Sequence, residues 1–238
     1  MKAELKSQSS PKSAEQTEKL GLADALGLRL RFHREQASTS IRELARRTGV
    51  SPSLISQIEH GRVTPSVDTL YRISNELGIS VDRFFNDSDT DSGQPAAAEV
   101  TVRQGGESGS NPPQASGGVV QPARNRKMIQ LSGGVTWERL TPNPDDQVEF
   151  LLVTYQPGSE SCPKTSLLRH GGKEYATVLS GRFGVTIGFE DYEVGPGDSI
   201  AFDAFHPHRI YAIGNEPATA IWVILNRGGD ARLGHEGD

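Results

Sequence analysis

The stretch SIRELARRTGVSPSLISQIEHG, residues 40–61, carries the start and stop signals of two short helices. Ser40 and Glu43 form a capping-box pattern, in which a hydroxyl and a carboxylate each satisfy a backbone N–H. Gly49 then ends the first helix, and Ser51 caps the second. Two short helices joined by a turn of three or four residues predict a helix-turn-helix.

The exposed face of the second helix has the side chains that DNA recognition needs. The major groove admits a helix, and small polar residues at its start let the backbone approach the bases. Gln57 is able to make a paired contact to an adenine edge. The residues predicted to reach bases are Ser51, Ser53, Ser56 and Gln57, and those predicted to reach phosphates are Arg42, Arg46, Arg47 and Arg62.

Residues 41–85, IRELARRTGVSPSLISQIEHGRVTPSVDTLYRISNELGISVDRFF, resemble the Cro/repressor type of helix-turn-helix domain, the xenobiotic response element (XRE) family of bacterial regulators. The resemblance implies a five-helix domain that binds double-stranded operator DNA as a homodimer. It assigns base contacts to the residues that open the second helix, and it gives Glu59 a capping or bracing role. Those base contacts are Ser51, Pro52, Ser53 and Gln57.

Charge and composition limit the class of protein. The 238 residues carry a net charge of −5, but residues 1–85 hold 13 basic against 10 acidic side chains and residues 86–238 hold 12 against 20. The N-terminal part therefore has the sign that suits a phosphate backbone. No run approaches the roughly 20 apolar residues of a membrane span, and the N-terminus lacks the apolar core of a secretion signal. We expect a cytoplasmic protein with no membrane partner, and the single Cys162 agrees with a reducing compartment.

The pattern of apolar residues predicts an α + β protein with two domains. Its segments are a disordered lead-in at 1–20, a helix-turn-helix domain at 21–86, a flexible linker at 87–117, a second domain at 118–230 and a tail at 231–238. After the linker the apolar period changes to two, which indicates short strands in a sandwich or barrel. The predicted strands are 127–131, 135–140, 148–155, 175–180, 183–187, 199–202, 208–213 and 219–225.

The second domain resembles a cupin, a β-barrel built as a double-sheet jelly roll. His170, Glu174 and Gly181 fit the second His, the Glu and the Gly of the first cupin motif. Leu168 stands where that motif has its first His, which is a departure from the family pattern. His208 falls on the ligand position of the second motif.

Two kinds of site are compatible with these residues. Two imidazoles and one carboxylate suffice for an Fe(II)-type facial triad, or for Zn or Mn, so one hypothesis is a divalent metal at His170, Glu174 and His208. The alternative is a metal-free polar cluster that recognises an organic effector together with neighbouring side chains. The residues of the expected effector pocket are His170, Glu174, His208, Arg169, Tyr175 and Tyr211.

Two functions also remain open. The first is a sequence-specific DNA-binding transcription regulator, not an enzyme, whose cupin domain senses a small-molecule effector. The second is a mononuclear non-haem iron enzyme, because iron epoxidases that join a helix-turn-helix-like domain to a cupin resemble this chain at His170, Glu174 and His208. The basic helix-turn-helix and a long tether, which would hold the helical domain loosely, favour the regulator.

Overall fold

The computed structural model describes residues 25–85 and 118–225. The first range is helical and the second is built of β-strands. The predicted lead-in at 1–20, linker at 87–117 and tail at 231–238 lie outside the described residues. The boundaries assigned to those segments therefore stay predictions.

Four α-helices and one 3-10 helix form the described part of the helical domain. They are α1 (25–36), α2 (Ile41–Thr48), α3 (Pro52–Glu59), α4 (Val67–Leu77) and the 3-10 helix Val81–Phe84. The prediction of five α-helices is wrong, because the fifth is a single 3-10 turn between its cap Ser80 and the extended Phe85. No helix among the described residues is long and apolar enough to cross a membrane.

Serine caps start the three helices that follow α1. The hydroxyls of Ser40, Ser51 and Ser66 each accept a hydrogen bond, at 3.1 Å, from the backbone N–H three residues later. Such a cap stabilises a helix by about 1 kcal/mol. Gly49 and Gly78 end α2 and α4 in the left-handed conformation, with φ of 71° and 66°. The predicted start and end of α2 and the predicted start of α3 are confirmed.

The end of α3 packs tightly against α1. A Cβ added to Gly27 would lie 2.2 Å from the Ile58 carbonyl oxygen, so only glycine permits this approach. Beside it, the buried Glu59 accepts two hydrogen bonds from Arg34, at 2.6 and 2.8 Å. Glu59 therefore braces α3 against α1, as expected, and is not available to DNA.

Nine strands form two antiparallel sheets in the second domain. They are β1 (Met128–Leu131), β2 (Val135–Arg139), β3 (Val148–Tyr155), β4 (Lys173–Ser180), β5 (Arg182–Ile187), β6 (Glu190–Val194), β7 (Ser199–Asp203), β8 (His208–Ile213) and β9 (Ala218–Leu225). The larger sheet has the order β1-β2-β3-β9-β4-β7, and the smaller has the order β6-β5-β8. The core lies between them, with alternate residues of β2, β3 and β9 buried.

The predicted barrel is not closed. Each sheet is hydrogen-bonded separately in the described residues. The segment between β3 and β4 forms no named strand and pairs with β8 through two isolated bridges, Glu160 to Tyr211 and Leu168 to His208, and through a few further hydrogen bonds such as that from the Ser161 N–H to the Ile210 carbonyl at 2.8 Å. Pro157 and Pro163 interrupt this segment, and a proline cannot donate to a strand ladder. The domain is therefore an open double sheet.

Strand β6 is absent from the predicted strands. Its sequence, EDYEV, has four exposed residues and a half-buried Val194, so it lacks the alternation that marks a half-buried strand. It pairs only with β5, at the edge of the smaller sheet. Edge strands tolerate charge because one of their sides faces water.

The helical domain docks on the cupin domain. The Ser132 N–H donates to the Pro65 carbonyl at 2.8 Å, and the Asp68 N–H donates to the Ser161 carbonyl at 3.2 Å. Arg72 Nη2 donates to Ser166 Oγ at 3.0 Å. Backbone bonds of this kind fix the orientation of two domains.

A second group of contacts surrounds the 3-10 helix. Arg83 pairs with Asp146 at 2.6 and 3.0 Å, and Asp82 Oδ2 accepts the Asp145 N–H at 2.8 Å. Arg139 lies over the ring of Phe85, with its Cζ 5.9 Å from the ring centroid. The expectation that the helical domain is held loosely is therefore wrong.

Candidate functional site

Helix α3 presents its predicted DNA-contacting face to solvent. Ser51, Pro52, Ser53 and Gln57 are exposed and Ser56 is half-buried, whereas Ile55 and Ile58 of the opposite face are buried. In the described residues the side-chain amide of Gln57 makes no hydrogen bond, so both its NH2 donor and its oxygen acceptor are available for a base. The hydroxyl of Ser51 accepts the Leu54 N–H as the cap of α3, and its own O–H stays available to donate to a base.

The four arginines predicted to meet phosphates are exposed, but two of them have protein partners. Arg46 binds both oxygens of Glu43, at 2.7 and 3.0 Å. Arg47 binds Glu43 at 2.6 Å and Glu76 at 3.2 Å. Arg42 and Arg62 make no ion pair among the described residues. The face is therefore less positive than four arginines suggest.

The Glu43 carboxylate does not complete the predicted capping box. It binds the two arginines, and these contacts lower its pKa to about 2. Within the described part of the chain it takes no hydrogen bond from the Ser40 N–H. That half of the capping-box prediction is wrong, because two guanidinium groups attract a carboxylate more strongly than one amide does.

The cupin domain brings His170, Glu174 and His208 together. The Nε2 atoms of His170 and His208 lie 2.8 and 3.3 Å from Glu174 Oε1. All three residues are at most 6% exposed, and one ligand atom from each lies within 4.8 Å of the others. Alternation along β4 turns Glu174 inward, and the backbone bridge of Leu168 with His208 brings the two histidines to the same end of the sandwich.

Backbone carbonyls fix the tautomers of the two histidines. Nδ1 of His170 lies 2.9 Å from the Gly171 oxygen, and Nδ1 of His208 lies 2.9 Å from the His206 oxygen. A carbonyl only accepts, so each Nδ1 carries a proton and each neutral ring keeps a lone pair on Nε2. This is the arrangement of metal-ligating histidines.

The Glu174 carboxylate is oriented and ionised. Its Oε2 accepts a hydrogen bond of 2.7 Å from Trp222 Nε1, which leaves Oε1 toward the histidines. Burial raises the pKa of Glu174, but its contacts with His170 and His208 outweigh burial and hold the pKa below its usual value. The group is therefore a carboxylate at neutral pH.

These donors fit a divalent cation. His170 Nε2 is buried and, although it lies 2.8 Å from Glu174 Oε1, it has no hydrogen bond of acceptable geometry in the described residues. When both rings are neutral, two imidazole lone pairs and a carboxylate oxygen face one another, and a divalent cation can take the place of the protons that pair the charged rings with Glu174. Nitrogen and oxygen donors of this kind suit Fe, Zn or Mn.

A small cavity of about 30 Å³ lies beside Glu174 and His208. Leu168 lines it, so an apolar group stands at the position of the missing cupin histidine. The volume suits a water molecule or an ion, whereas organic ligands occupy pockets of roughly 300 Å³ or more. The other apolar and aromatic lining residues are Val67, Tyr71, Trp137, Leu151, Val153, Tyr155, Ile210 and Trp222.

Comparison with known proteins identifies both halves of the chain. The HTH_3 helix-turn-helix family matches residues 30–84, and the Cupin_2 cupin domain family matches residues 151–224. The HTH-type transcriptional regulator PuuR of Escherichia coli is 30% identical over 186 residues, which are 77% of this chain and 85% of PuuR. The chain belongs to the helix-turn-helix transcriptional regulators with a cupin domain. It is a DNA-binding regulator of the XRE type, as the sequence predicts.

Solved structures show the same architecture. An HTH_3 family transcriptional regulator from Vibrio cholerae has a TM-score of 0.59 at 20% identity, and the match covers 87% of this regulator and 98% of that chain. This similarity establishes the fold alone. Hydroxypropylphosphonic acid epoxidase from S. wedmorenis covers 86% of this chain and 98% of its own at 19% identity. Its TM-score is 0.39, and at that value the similarity carries no argument.

Three of the predicted effector residues do not line the small cavity of this regulator. Arg169 is exposed and stacks on Phe205, with its Cζ 3.7 Å from the ring centroid. Tyr175 is 41% exposed on the outer face of the larger sheet. Tyr211 stacks with Arg209 on the face of β8 opposite to His208. The structure brings together only the triad.

Two residues that sequence analysis did not assign contribute to the site. The ring of Tyr71 in α4 lies 5.1 Å from that of His170 and 5.3 Å from that of Trp137, so the helical domain supplies one wall of the cavity. Trp222 orients Glu174. Their place on the inward faces of α4 and β9 was readable from the sequence, but their partners are far away along the chain.

Proposed function

We propose that this regulator reads operator DNA with α3 as a homodimer, and that its cupin domain senses a small-molecule effector. The observation that carries the proposal is that Tyr71 of α4, in the DNA-binding domain, packs against His170 of the triad. A change in the cupin site therefore reaches the helical domain through direct contact. An effector regulates by binding one arrangement of the domains more tightly than another.

The proposed metal ligands are His170, Glu174 and His208. A divalent metal bound there would supply a fixed positive charge with open coordination positions for an oxygen or nitrogen atom. Trp222 and the carbonyls of Gly171 and His206 orient the three ligand side chains. Tyr71 and Leu168 keep bulk water away from them.

The proposed DNA contacts divide into two groups. Gln57, with the small residues Ser51, Pro52, Ser53 and Ser56, faces base edges, and Arg42, Arg46, Arg47 and Arg62 face phosphates. Arg46 and Arg47 exchange Glu43 for a phosphate on binding, at little cost because solvent weakens exposed ion pairs.

The assignment of Gln57 is tested with DNA from the promoter of this protein's own gene. Gln57→Ala should weaken specific binding by about 1–3 kcal/mol, because a bidentate contact to adenine is lost. Fluorescence anisotropy with the promoter fragment and with a scrambled fragment measures the effect. Gln36→Ala, at an exposed glutamine of α1, is the control. Equal effects of the two substitutions would show that α3 does not read bases.

The outer face of the larger sheet supports the proposed dimer. Residues paired across antiparallel strands lie on one face, and Leu152 pairs with Ile221 while both Phe150 and Tyr175 pair with Val223. These five side chains are half-buried or exposed in the single chain. An apolar face of this kind is suited to isologous packing against a second copy.

A charge on that face tests the dimer. Ile221→Asp should shift the protein to the mass of one chain, because the aspartate would be buried between two copies without a partner. Light scattering after size exclusion measures the mass, and Phe189→Asp, at a fully exposed turn residue, is the control. If Ile221→Asp keeps the mass of two chains, the sheet face is not the interface.

A non-enzymatic role is part of the proposal. The cavity beside the triad, at about 30 Å³, leaves no space for an organic substrate next to a metal. The docked helical domain removes one argument against an enzyme, since it does line the site. The small volume of this cavity is the remaining structural argument against an enzyme.

A further inference from the structure

A cleft of about 390 Å³ separates the helical domain from the cupin domain. Its walls are α2 and α4 on one side and the loop that ends at His170 on the other. This volume is within the range of small-molecule sites, unlike that of the cavity beside the triad. Its charged lining residues are Arg47, Asp68, Arg72, Glu76 and Arg169, and the buried His170 also lines it.

One of these cations has no anionic partner. Arg169 makes neither an ion pair nor a hydrogen bond within the residues that the structure describes. Its guanidinium lies flat against Phe205, with Cζ 3.7 Å from the ring centroid. Stacking restricts the side chain without using its N–H donors. A preorganised and unpaired guanidinium is the group that binds a carboxylate in a bidentate manner.

The other charges of the cleft neutralise one another. Arg72 pairs with Asp68 at 2.8 Å, and Arg47 pairs with Glu76 at 3.2 Å. Both acidic residues of the lining therefore have a basic partner. The excess charge of the cleft is the single positive charge of Arg169, so the cleft favours a ligand with an anionic group.

The cleft also adjoins the proposed sensor. His170 lines it and belongs to the triad, and Tyr71 lines both the cleft and the small cavity. A molecule in the cleft touches the DNA-binding domain through α4 and the cupin domain through Arg169. It is therefore placed to change how the two domains fit together.

We propose that this interdomain cleft, and not the interior of the cupin, is the effector site, and that Arg169 binds the carboxylate of a small carboxylate-bearing effector. The proposal rests on the proposed regulatory function and deepens it. The interior site then fixes the position of the loop through His170, while the effector is recognised outside it.

Calorimetric titration of the full-length protein with succinate, glutamate and inorganic phosphate tests the ligand class. The wild-type protein should bind at least one of the two carboxylates, and Arg169→Gln should weaken that binding by about tenfold or more, since charge-assisted hydrogen bonds are lost. Arg169→Lys keeps the positive charge but lacks the paired N–H donors of the guanidinium, so it should recover only part of the affinity. Arg124→Gln, at an exposed arginine of the cupin domain outside the cleft, is the matched control.

Each other result contradicts the proposal. The first is that the wild-type protein binds neither carboxylate at about 50 mM ligand, a concentration that would saturate even a weak site. The second is an equal loss of affinity in Arg169→Gln and Arg124→Gln. The third is binding of phosphate alone. A Phe205→Leu variant should also weaken carboxylate binding, because the guanidinium loses its support. Retention of full affinity in both Arg169→Gln and Phe205→Leu would place the carboxylate elsewhere.

DNA affinity separates this proposal from the regulatory function. With the promoter fragment, the bound carboxylate should change the affinity of the wild-type protein and leave that of Arg169→Gln unaffected. Carboxylate binding in a protein that does not bind the fragment would overturn the regulatory assignment and keep the ligand site. DNA binding without any effect of a bound carboxylate would overturn the effector role of the cleft.

Discussion

Trp222 controls the direction of the Glu174 carboxylate. Its indole N–H holds one carboxylate oxygen at 2.7 Å, so the other oxygen faces the two histidines. A partner of this kind keeps a ligand in place before any ion arrives, and it lowers the entropy that binding would otherwise cost.

Removal of that partner should weaken metal binding. We expect Trp222→Phe to reduce the affinity for Zn²⁺ by about 10- to 100-fold, which is the usual effect of losing a group that orients a ligand. Competition with a fluorescent chelator measures the affinity. Trp137→Phe removes an indole N–H from the same cavity wall without touching Glu174 and is the control. An unchanged affinity in Trp222→Phe would show that the carboxylate needs no support.

At the scale of residues, the sequence predicts what lies within a motif and misses what lies between motifs. The resemblance of His170, Glu174 and His208 to the ligand positions of the two cupin motifs suffices to propose the triad. Leu168 was expected at the missing ligand position, and it does line the cavity. Tyr71 and Trp222 could not be predicted, because their contacts join segments that are distant in the chain.

Helix α2 limits the positive charge that reaches DNA. Its Glu43 binds Arg46 and Arg47 at once, three and four residues later on the same face. The pKa of Glu43, at about 2, keeps the carboxylate ionised at every pH at which the protein would be assayed. The pairs therefore compete with DNA phosphates under all such conditions.

Glu43→Gln should tighten DNA binding. Two exposed pairs no longer have to be broken, and because solvent screens such pairs we expect a modest gain in affinity of about two- to tenfold. Anisotropy titrations of the promoter fragment at several salt concentrations measure this. Glu35→Gln removes an equal charge from a pair with Arg31 on α1 and serves as the control. A gain of the same size in both variants would show that only the net charge matters.

At the scale of elements, serine and glycine signals fix most boundaries. A cap and a glycine correctly bounded α2, and a cap correctly placed the start of α3, because these signals act within one turn of the chain. The 3-10 helix and β6 escaped prediction for opposite reasons. The first has the apolar residues of an α-helix but too few of them, and the second is a strand without an apolar face.

The two domains meet where the cupin would otherwise be open. Tyr71 packs between His170 and Trp137, and hydrogen bonds at Pro65, Asp68 and Asp82 also join the two domains. The two-domain organisation was predictable from the change of apolar period. The docking was not, because it depends on contacts between residues more than 60 positions apart.

Loss of the Tyr71 ring should open the site. Tyr71→Ala should lower the free energy of unfolding by about 3 kcal/mol, as for other buried aromatic residues, and it should join the cavity to the cleft. We expect EDTA to remove a metal from this variant faster than from the wild-type protein, with Tyr71→Phe close to wild type. Urea unfolding and the rate of metal loss measure the two effects. Equal rates in Tyr71→Ala and wild type would mean that α4 does not cover the triad.

The hydrogen bond from Ser132 to the Pro65 carbonyl has a consequence for anyone who divides this chain. Pro65 lies in the connection between α3 and α4, so a main-chain hydrogen bond joins the DNA-binding domain to the hairpin of β1 and β2. A helical fragment that ends at residue 85 would expose Val67 and Tyr71 to water. It would also lose the fixed orientation that the helical domain has on the cupin domain. Such a fragment would tend to aggregate, and its affinity for operator DNA would differ from that of the intact protein.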